Sequence, residues 1–352
     1  MRTGIAELPL HHGKAPRWLF DKMVKLSRAI IEAIVIDKGP QEFLHRVSDP
    51  FWFQAFGSVL GFDWHSSGLT TTVCGAMKQG TSEICDRLGL YLCGGKGAIS
   101  RKTPVQIQRF TERLSIDSQK LIYASRMSAK VDNTCVQDGY NLYHHMFIFT
   151  REGDWCVVQQ GMNPENHLAR RYHWLSSHVD SYVCEPHSAV CSDRKAPCLN
   201  MVAQESEQSR RIVTTITKEH PDKIIKETEK ILRLPTRHPV LKLDIDPRYF
   251  HKILLKTYER FPDNFETLIT IQGVGPKTMR ALALIGELLY ARAPSFRDPA
   301  RYSFAHGGKD GFPYPVDRNT YNESIAFLES AIKKAAIGEN DRFRALKHLV
   351  YL

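Results

Sequence analysis

An amine stands beside a glycine-rich turn at residues 273–278, which read GVGPKT. The two glycines permit positive φ and leave the backbone uncovered, and the proline suits the first position of a helix. Free amides at a helix N-terminus form a site for an anion such as a phosphate. Lys277 places an amine beside this anion site. The residues predicted to contact a nucleic-acid backbone here are Gly273, Val274, Gly275, Lys277 and Thr278.

Two amphipathic segments must hold this turn. Phe265 and Leu268 lie at helical spacing before it, and Met279 and Leu282 begin a second apolar stripe after it. The pattern predicts a helix, a tight turn and a second helix over residues 264–290. The formal net charge of +10 and the pI near 9.1 favour an anionic partner, because each phosphate neutralised by Lys or Arg releases counterions. We therefore expect DNA to be the partner.

The string LITIQGVGPKT (268–278) resembles the helix-hairpin-helix element of DNA-binding proteins. It is also similar to the hairpin of endonuclease III-type DNA glycosylases and AP lyases, in which the lysine of G-V-G-x-K-T forms a Schiff base and a later V-D aspartate assists. The matching positions here are Lys277 and Asp317. The resemblance implies a base-excision DNA-repair enzyme that acts on damaged or abasic DNA and requires no cofactor. A structural metal ion in the hairpin is a further option.

The segment downstream of the hairpin departs from that family. Forty positions separate Lys277 from Asp317, a longer interval than in the family, and Arg318 stands where the family has a histidine. The inserted segment 291–315 is basic and aromatic, which suits contact with phosphates and bases. Two further DNA contacts are predicted from this segment, Arg297 and Arg301.

Arg170 and Arg171 lie in ARRYHWLSSHVDSY (169–182), which we predict to be a short helix with an Arg, aromatic and His face. Guanidinium groups beside aromatic rings suit phosphates and unstacked bases. Both arginines are therefore predicted to contact DNA, and an ordinary solvated helix face is the alternative.

Polar clusters beside glycines indicate a candidate pocket in the N-terminal part of the chain. Asp63 and His65 in DWHSSG form a candidate acid/base pair. Amide side chains at the end of a hairpin strand could read a base edge. The candidate pocket residues are His11, His12, Asp63, His65, His145, Gln159 and Gln160.

Two other functions stay open at this stage. One is a metal-dependent DNA nuclease that uses Asp63 or Asp154 as acids and the hairpin only for docking. The other is a DNA-binding protein without catalytic activity. A cleavage test with and without a chelator separates these from a lyase.

Three thiols and an imidazole, Cys184, His187, Cys191 and Cys198, fall within fifteen residues. Zinc takes four such ligands in tetrahedral geometry, so the cluster is a candidate structural metal site. The spacing matches no standard zinc finger, and a loop that contains cysteines without metal is the alternative.

Hydrophobic periodicity indicates an α+β fold. Helices are predicted over 16–39, 103–131, 206–220, 221–234, 247–261 and 320–336. Residues 143–162 predict a β-hairpin, because two runs rich in β-branched and aromatic residues flank the turn sequence REGD. We expect a mixed α+β domain at 1–205, which contains the pocket, and an all-helical DNA-binding domain at 206–352.

No segment of the sequence predicts export or membrane insertion. Its start has no apolar signal region, and the longest apolar run, AIIEAIVI at 29–36, is too short to span a bilayer. Eight cysteines without a secretory signal indicate reduced thiols, so we expect a cytoplasmic protein without a membrane partner. Three blocks resemble a microbial family of unknown function with a C-terminal helix-hairpin-helix: GIAELPLHHGKAPRWLF (4–20), GFDWHSSGLTTTVCGAMK (61–78) and WCVVQQGMN (155–163).

Overall fold

The computed structural model describes residues 15–62, 68–192, 195–232, 246–300 and 318–350. Its strands are β1 (Leu90–Lys96), β2 (Val136–Gln137), β3 (Asn141–Thr150), β4 (Trp155–Met162), β5 (Ala169–Leu175), β6 (Ala189–Cys191) and β7 (Leu199–Asn200). A five-stranded antiparallel sheet has the order β1-β3-β4-β5-β6, and β2 pairs separately with β7.

Helices precede, interrupt and follow the sheet in the described part of the chain. They are α1 (Arg17–Lys38), α2 (Pro40–Ser48), α3 (Pro50–Val59), α4 (Gly68–Thr81), α5 (Cys85–Leu88), α6 (Thr103–Leu114), α7 (Ser118–Thr134), α8 (Glu207–Ile216), α9 (Pro221–Leu232), α10 (Pro247–Arg260), α11 (Phe265–Thr270), α12 (Pro276–Tyr290), α13 (Arg318–Lys334) and α14 (Glu339–Val350). This arrangement confirms the predicted α+β class, with the sheet in the N-terminal part and helices after it.

Helices cover both faces of the large sheet. Phe147 and Phe149 of β3 pack on one face with side chains of α6 and α7. Met146 and Ile148 of the same strand pack on the other face with side chains of α1 to α4. Because both faces are buried, β4 and β5 are buried along almost their whole length, unlike strands with one solvent face.

The C-terminal helices join both of these layers. α11 and α12 pack against α7, and Leu268 and Leu282 share a hydrophobic cluster with Val131 of α7. α13 and α14 lie against α1 and α3, where Leu328 and Ile332 are fully buried. Both hydrophobic clusters therefore contain residues from before and after 205, the predicted domain boundary.

The helix predicted over 103–131 is two helices, α6 and α7. Ser115 follows α6 in a left-handed conformation with φ +56°. Asp117 then caps α7, its carboxylate accepting a hydrogen bond from the Gln119 amide at 2.9 Å. Apolar residues on both sides of this break continue the helical spacing, so periodicity alone predicts one helix. The predicted hairpin is confirmed, since β3 and β4 pair across residues 151–154.

The helix predicted over 169–182 is wrong. Residues 169–175 form β5, which pairs with β4 on one side and with β6 on the other. All seven of its side chains are buried, including those of Arg170 and Arg171. A strand buried on both faces has no alternation of polar and apolar residues that would reveal it. Its arginines, placed among aromatic residues, instead gave the pattern expected of the exposed face of a helix.

Candidate nucleic-acid interface and adjoining pocket

The glycine-rich turn joins α11, which ends at Thr270, to α12, which begins at Pro276. Gly273 adopts φ +102°, a region that favours glycine. A Cβ atom at Gly273 would lie 2.2 Å from Cδ1 of Ile253 in α10. The fold itself therefore requires this glycine.

Gly275, unlike Gly273, is not required by the backbone conformation or by a neighbouring side chain. Its φ of −122° is open to any residue, which corrects the expectation of positive φ at both glycines. A Cβ atom there would meet nothing nearer than the Gly273 carbonyl oxygen at 3.9 Å. Gly275 precedes the first residue of α12, and no side chain of the described residues caps that helix start. Neither conformation nor packing requires a glycine at this position.

Two of the predicted backbone contacts are directed into the protein. The Val274 side chain is buried, and its amide donates to the Ile271 carbonyl at 3.1 Å. The Thr278 side chain is also buried, and its hydroxyl donates to the Gly273 carbonyl at 3.4 Å. The predicted role of the Val274 amide is therefore wrong, because a tight turn satisfies its own central amide. The surface of the turn consists of the exposed Gln272, the half-buried Gly273 and Gly275, and the start of α12.

Two lysine amines lie near the turn. Lys277 is exposed on the first turn of α12. Lys130 of α7 is half-buried, and its amine donates to the Val274 carbonyl. Burial lowers the pKa of the Lys130 amine. The Gln137 side chain also donates to the Pro276 carbonyl at 2.9 Å, so this side of the protein holds the turn from behind.

A cavity of about 290 Å³ opens beside α7. Ser125, Arg126 and Ala129 of α7 line it, together with residues of β3 and β4. Arg101, two residues before α6, and Pro104, in the first turn of α6, also line it. Since a helix rises 1.5 Å per residue, Ser125 and Lys130 are separated by about 8 Å along the α7 axis. The cavity and the glycine-rich turn thus share one helix.

A chain of buried hydrogen bonds ends at this cavity. The Ser125 hydroxyl lies 2.8 Å from His145 Nε2, and His145 Nδ1 lies 2.9 Å from Gln159 Oε1. Gln159 Nε2 donates to Asp132 Oδ2 at 2.6 Å, and Trp174 Nε1 donates to the same oxygen at 3.0 Å. Burial lowers the pKa of His145, which keeps its imidazole neutral.

The structure brings together two of the predicted pocket residues, His145 and Gln159. Gln160 lies on the opposite face of β4 and does not itself line the cavity, but its amide donates to the hydroxyl of Tyr143, which does. His11, His12, Asp63 and His65 lie outside the described residues, as do Asp317 and Arg301. Sequence reasoning missed Ser125 and Asp132, because both lie inside an ordinary helical pattern.

The chain belongs to the family described as protein of unknown function (DUF763), whose model matches residues 4–316. No curated protein and no solved structure matches it. The comparisons therefore give the family but no function.

Arg170 and Arg171, predicted to contact DNA, are about 1% exposed. Arg170 forms ion pairs with Asp138 and Asp298, each at 2.8 Å, and its guanidinium lies 4.6 Å from the Tyr140 ring centre. Arg171 Nε lies 2.8 Å from His173 Nε2 on the other face of the sheet. These arginines form internal contacts, so the predicted DNA contacts are wrong.

Arg297, by contrast, is exposed next to Asp298, and it stays a candidate DNA contact. The backbone at this residue is held in place, since the Arg297 carbonyl accepts a hydrogen bond from the Asn200 side chain at 3.1 Å. The ion pair between Arg170 and Asp298 therefore fixes the backbone on which Arg297 stands.

Two residues of the predicted metal cluster contact other groups. Among the described residues, no group of three or more His, Cys, Asp or Glu side chains is arranged to hold a metal ion. His187 instead contacts Asp132, and the Cys198 thiol contacts the Arg297 carbonyl at 3.8 Å. Cys191 lies buried in β6, while Cys184 is half-buried in a loop. Sequence proximity did not bring these four side chains together.

None of the described helices has the length and apolar composition needed to cross a membrane.

Proposed function

We propose that the protein is a DNA-repair enzyme that binds the DNA backbone at the glycine-rich turn and acts on a damaged or abasic nucleotide. Its chemistry would be that of a DNA glycosylase, an AP lyase or both. The succession of α11, tight turn and α12 supports the proposed likeness to a helix-hairpin-helix. A net charge of +10 favours the same class of partner.

The observation that carries this proposal is Gly275. Gly275 is the N-cap of α12, a position that favours glycine over alanine, and neither its φ nor its packing requires glycine. Without a side chain there, the main chain at the start of α12 is uncovered, so a phosphate could contact it directly. Tyr249 of α10, 56% exposed, stands near the same turn and offers a ring for stacking.

The proposed lyase reaction begins with a lysine amine. Its nitrogen attacks C1′ of the ring-opened abasic sugar, and loss of water gives an iminium. Removal of a C2′ proton then forms the C2′–C3′ double bond, and the C3′–O bond breaks to release the 3′ phosphate. Resemblance to endonuclease III-type enzymes assigns the amine to Lys277 and assistance to Asp317. Lys130, whose pKa is lowered by burial, is a second amine at the turn.

Borohydride trapping on a duplex with one abasic site tests this function. We expect wild type to form a covalent adduct and Lys277→Ala to lose it, while the exposed Lys256→Ala on α10 serves as the matched control. An adduct that survives Lys277→Ala but disappears in Lys130→Ala would move the nucleophile to Lys130. Cleavage without an adduct, abolished by EDTA, would favour the metal-dependent nuclease, and binding without cleavage would favour the non-catalytic alternative.

A further inference from the structure

The direction of the buried hydrogen bonds determines the chemistry at the cavity floor. The amide nitrogen Gln159 Nε2 can only donate hydrogen bonds, so it donates to the Asp132 carboxylate. With the amide flipped, Gln159 Oε1 would face Asp132 Oδ2, and two acceptors would meet without a hydrogen between them. Gln159 Oε1 must then accept a hydrogen bond from His145 Nδ1–H. This leaves a lone pair on His145 Nε2, to which the Ser125 hydroxyl donates. The floor of the cavity therefore presents a neutral imidazole as a proton acceptor.

The mouth of the cavity has the opposite character. Arg101 and Arg126 line it, and both side chains are exposed. Tyr143 contributes an aromatic wall. Two guanidinium groups at the opening favour a phosphate, while the wall suits the flat face of a base or a sugar. A volume of about 290 Å³ lies at the small end of ligand pockets, which fits one nucleotide and excludes a duplex.

The cavity and the glycine-rich turn both adjoin α7. Lys130 follows the cavity-lining residues Arg126 and Ala129 on α7, and its amine contacts the Val274 carbonyl.

We propose that this cavity binds a single nucleotide turned out of the DNA strand, its phosphate at Arg101 and Arg126. His145 Nε2 then accepts a proton from the nucleotide once the Ser125 hydroxyl has rotated away from that nitrogen. This inference rests on the proposed function. In the lyase reaction the proton comes from C2′, its bonding electrons form the C2′–C3′ double bond, and the 3′ phosphate leaves. Gln159 and Asp132 act as positioning residues that hold the His145 tautomer.

Binding is tested with the full chain on two duplexes, one with a tetrahydrofuran abasic analogue and one undamaged, and with free dAMP. We expect Arg126→Ala to reduce the preference for the analogue duplex by about tenfold, the loss of one charge-assisted contact. The exposed Arg109→Ala on α6 is the matched control. Equal preference in wild type and Arg126→Ala would overturn the binding site.

The free-nucleotide arm separates this inference from the proposed function. Wild type that binds neither duplex ends the DNA proposal. If dAMP then binds and Arg126→Ala weakens it, the cavity is a site for a free nucleotide. If dAMP does not bind either, the cavity is not a nucleotide site.

The proton-accepting role is tested by single-turnover cleavage at saturating abasic DNA. We expect His145→Gln to lower the rate by about 100-fold or more and to remove the rise of the rate with pH, with DNA affinity unchanged. The exposed His178→Gln is the matched control and should retain the rate. A His145→Gln rate within about threefold of wild type would overturn the role of His145.

Discussion

Gly273 and Gly275 lie two positions apart in one turn, but different forces explain them. At Gly273, positive φ and contact with Ile253 exclude a side chain. At Gly275 the protein leaves room for one. The fold therefore requires glycine at position 273, while the proposed ligand would account for glycine at position 275.

We predict that Gly275→Ala lowers the free energy of unfolding by less than about 1 kcal/mol, because alanine is a weaker N-cap than glycine. The same variant should weaken DNA binding at least fivefold, since a methyl group would stand where a phosphate approaches; this corresponds to about 1 kcal/mol. Gly273→Ala should instead lose about 1–3 kcal/mol of stability. Urea denaturation and fluorescence anisotropy measure the two effects. Unchanged DNA affinity in Gly275→Ala would remove the main support for the proposed function.

At the scale of the element, β5 and α7 make contacts that cannot be predicted from their own sequences. β5 contributes Arg170 to an ion-pair network that reaches Asp138 before it and Asp298 far beyond it in the chain. α7 connects the cavity at Ser125 to the turn through Lys130. Each element acts through partners distant in sequence.

We predict that Arg170→Met lowers the free energy of unfolding by about 3–5 kcal/mol, because it leaves two buried carboxylates without their cation. Burial already raises the pKa of Asp138, and loss of Arg170 should raise it further. The exposed Arg297→Met is the control and should change stability by less than about 0.5 kcal/mol. Chemical denaturation at neutral pH decides this. Equal stability of the two variants would contradict a structural role for Arg170.

At the scale of the whole molecule, the sheet separates two hydrophobic clusters and also buries several histidines. His144, His145 and His173 are each buried, and burial lowers the pKa of all three, that of His144 to about 3. Both ring nitrogens of His144 are without a hydrogen-bond partner in the described part of the protein. The folded molecule therefore holds these rings neutral under conditions in which the unfolded chain protonates them.

We predict that acidification destabilises the protein below about pH 6.5, the ordinary histidine value. The folded pKa values are depressed, so the unfolded state binds more protons and stability falls as the pH decreases. Each histidine should contribute a slope of about 1.4 kcal/mol per pH unit, and for His144 this loss continues down towards pH 3.

Urea denaturation between pH 4.5 and 7 measures this slope. His144→Phe places an apolar ring in the same space. It should reduce the dependence of the unfolding free energy on pH by about 1.4 kcal/mol per pH unit, the contribution of one bound proton. The exposed His178→Phe should leave it unchanged. A stability that does not vary between pH 5 and 6.5 would contradict the buried neutral state.

Local sequence determined the features that arise from short-range forces. Apolar spacing predicted α1, α8, α9 and α10, and also the pair α11 and α12 joined by a tight turn. Turn residues predicted the hairpin of β3 and β4. Tertiary structure decided the rest: β5 is a strand because two helical layers cover it, and Ser125, His145, Gln159 and Asp132 meet because a helix crosses a sheet. Burial and hydrogen bonding between residues far apart in sequence override local propensity, and no local pattern contains that information.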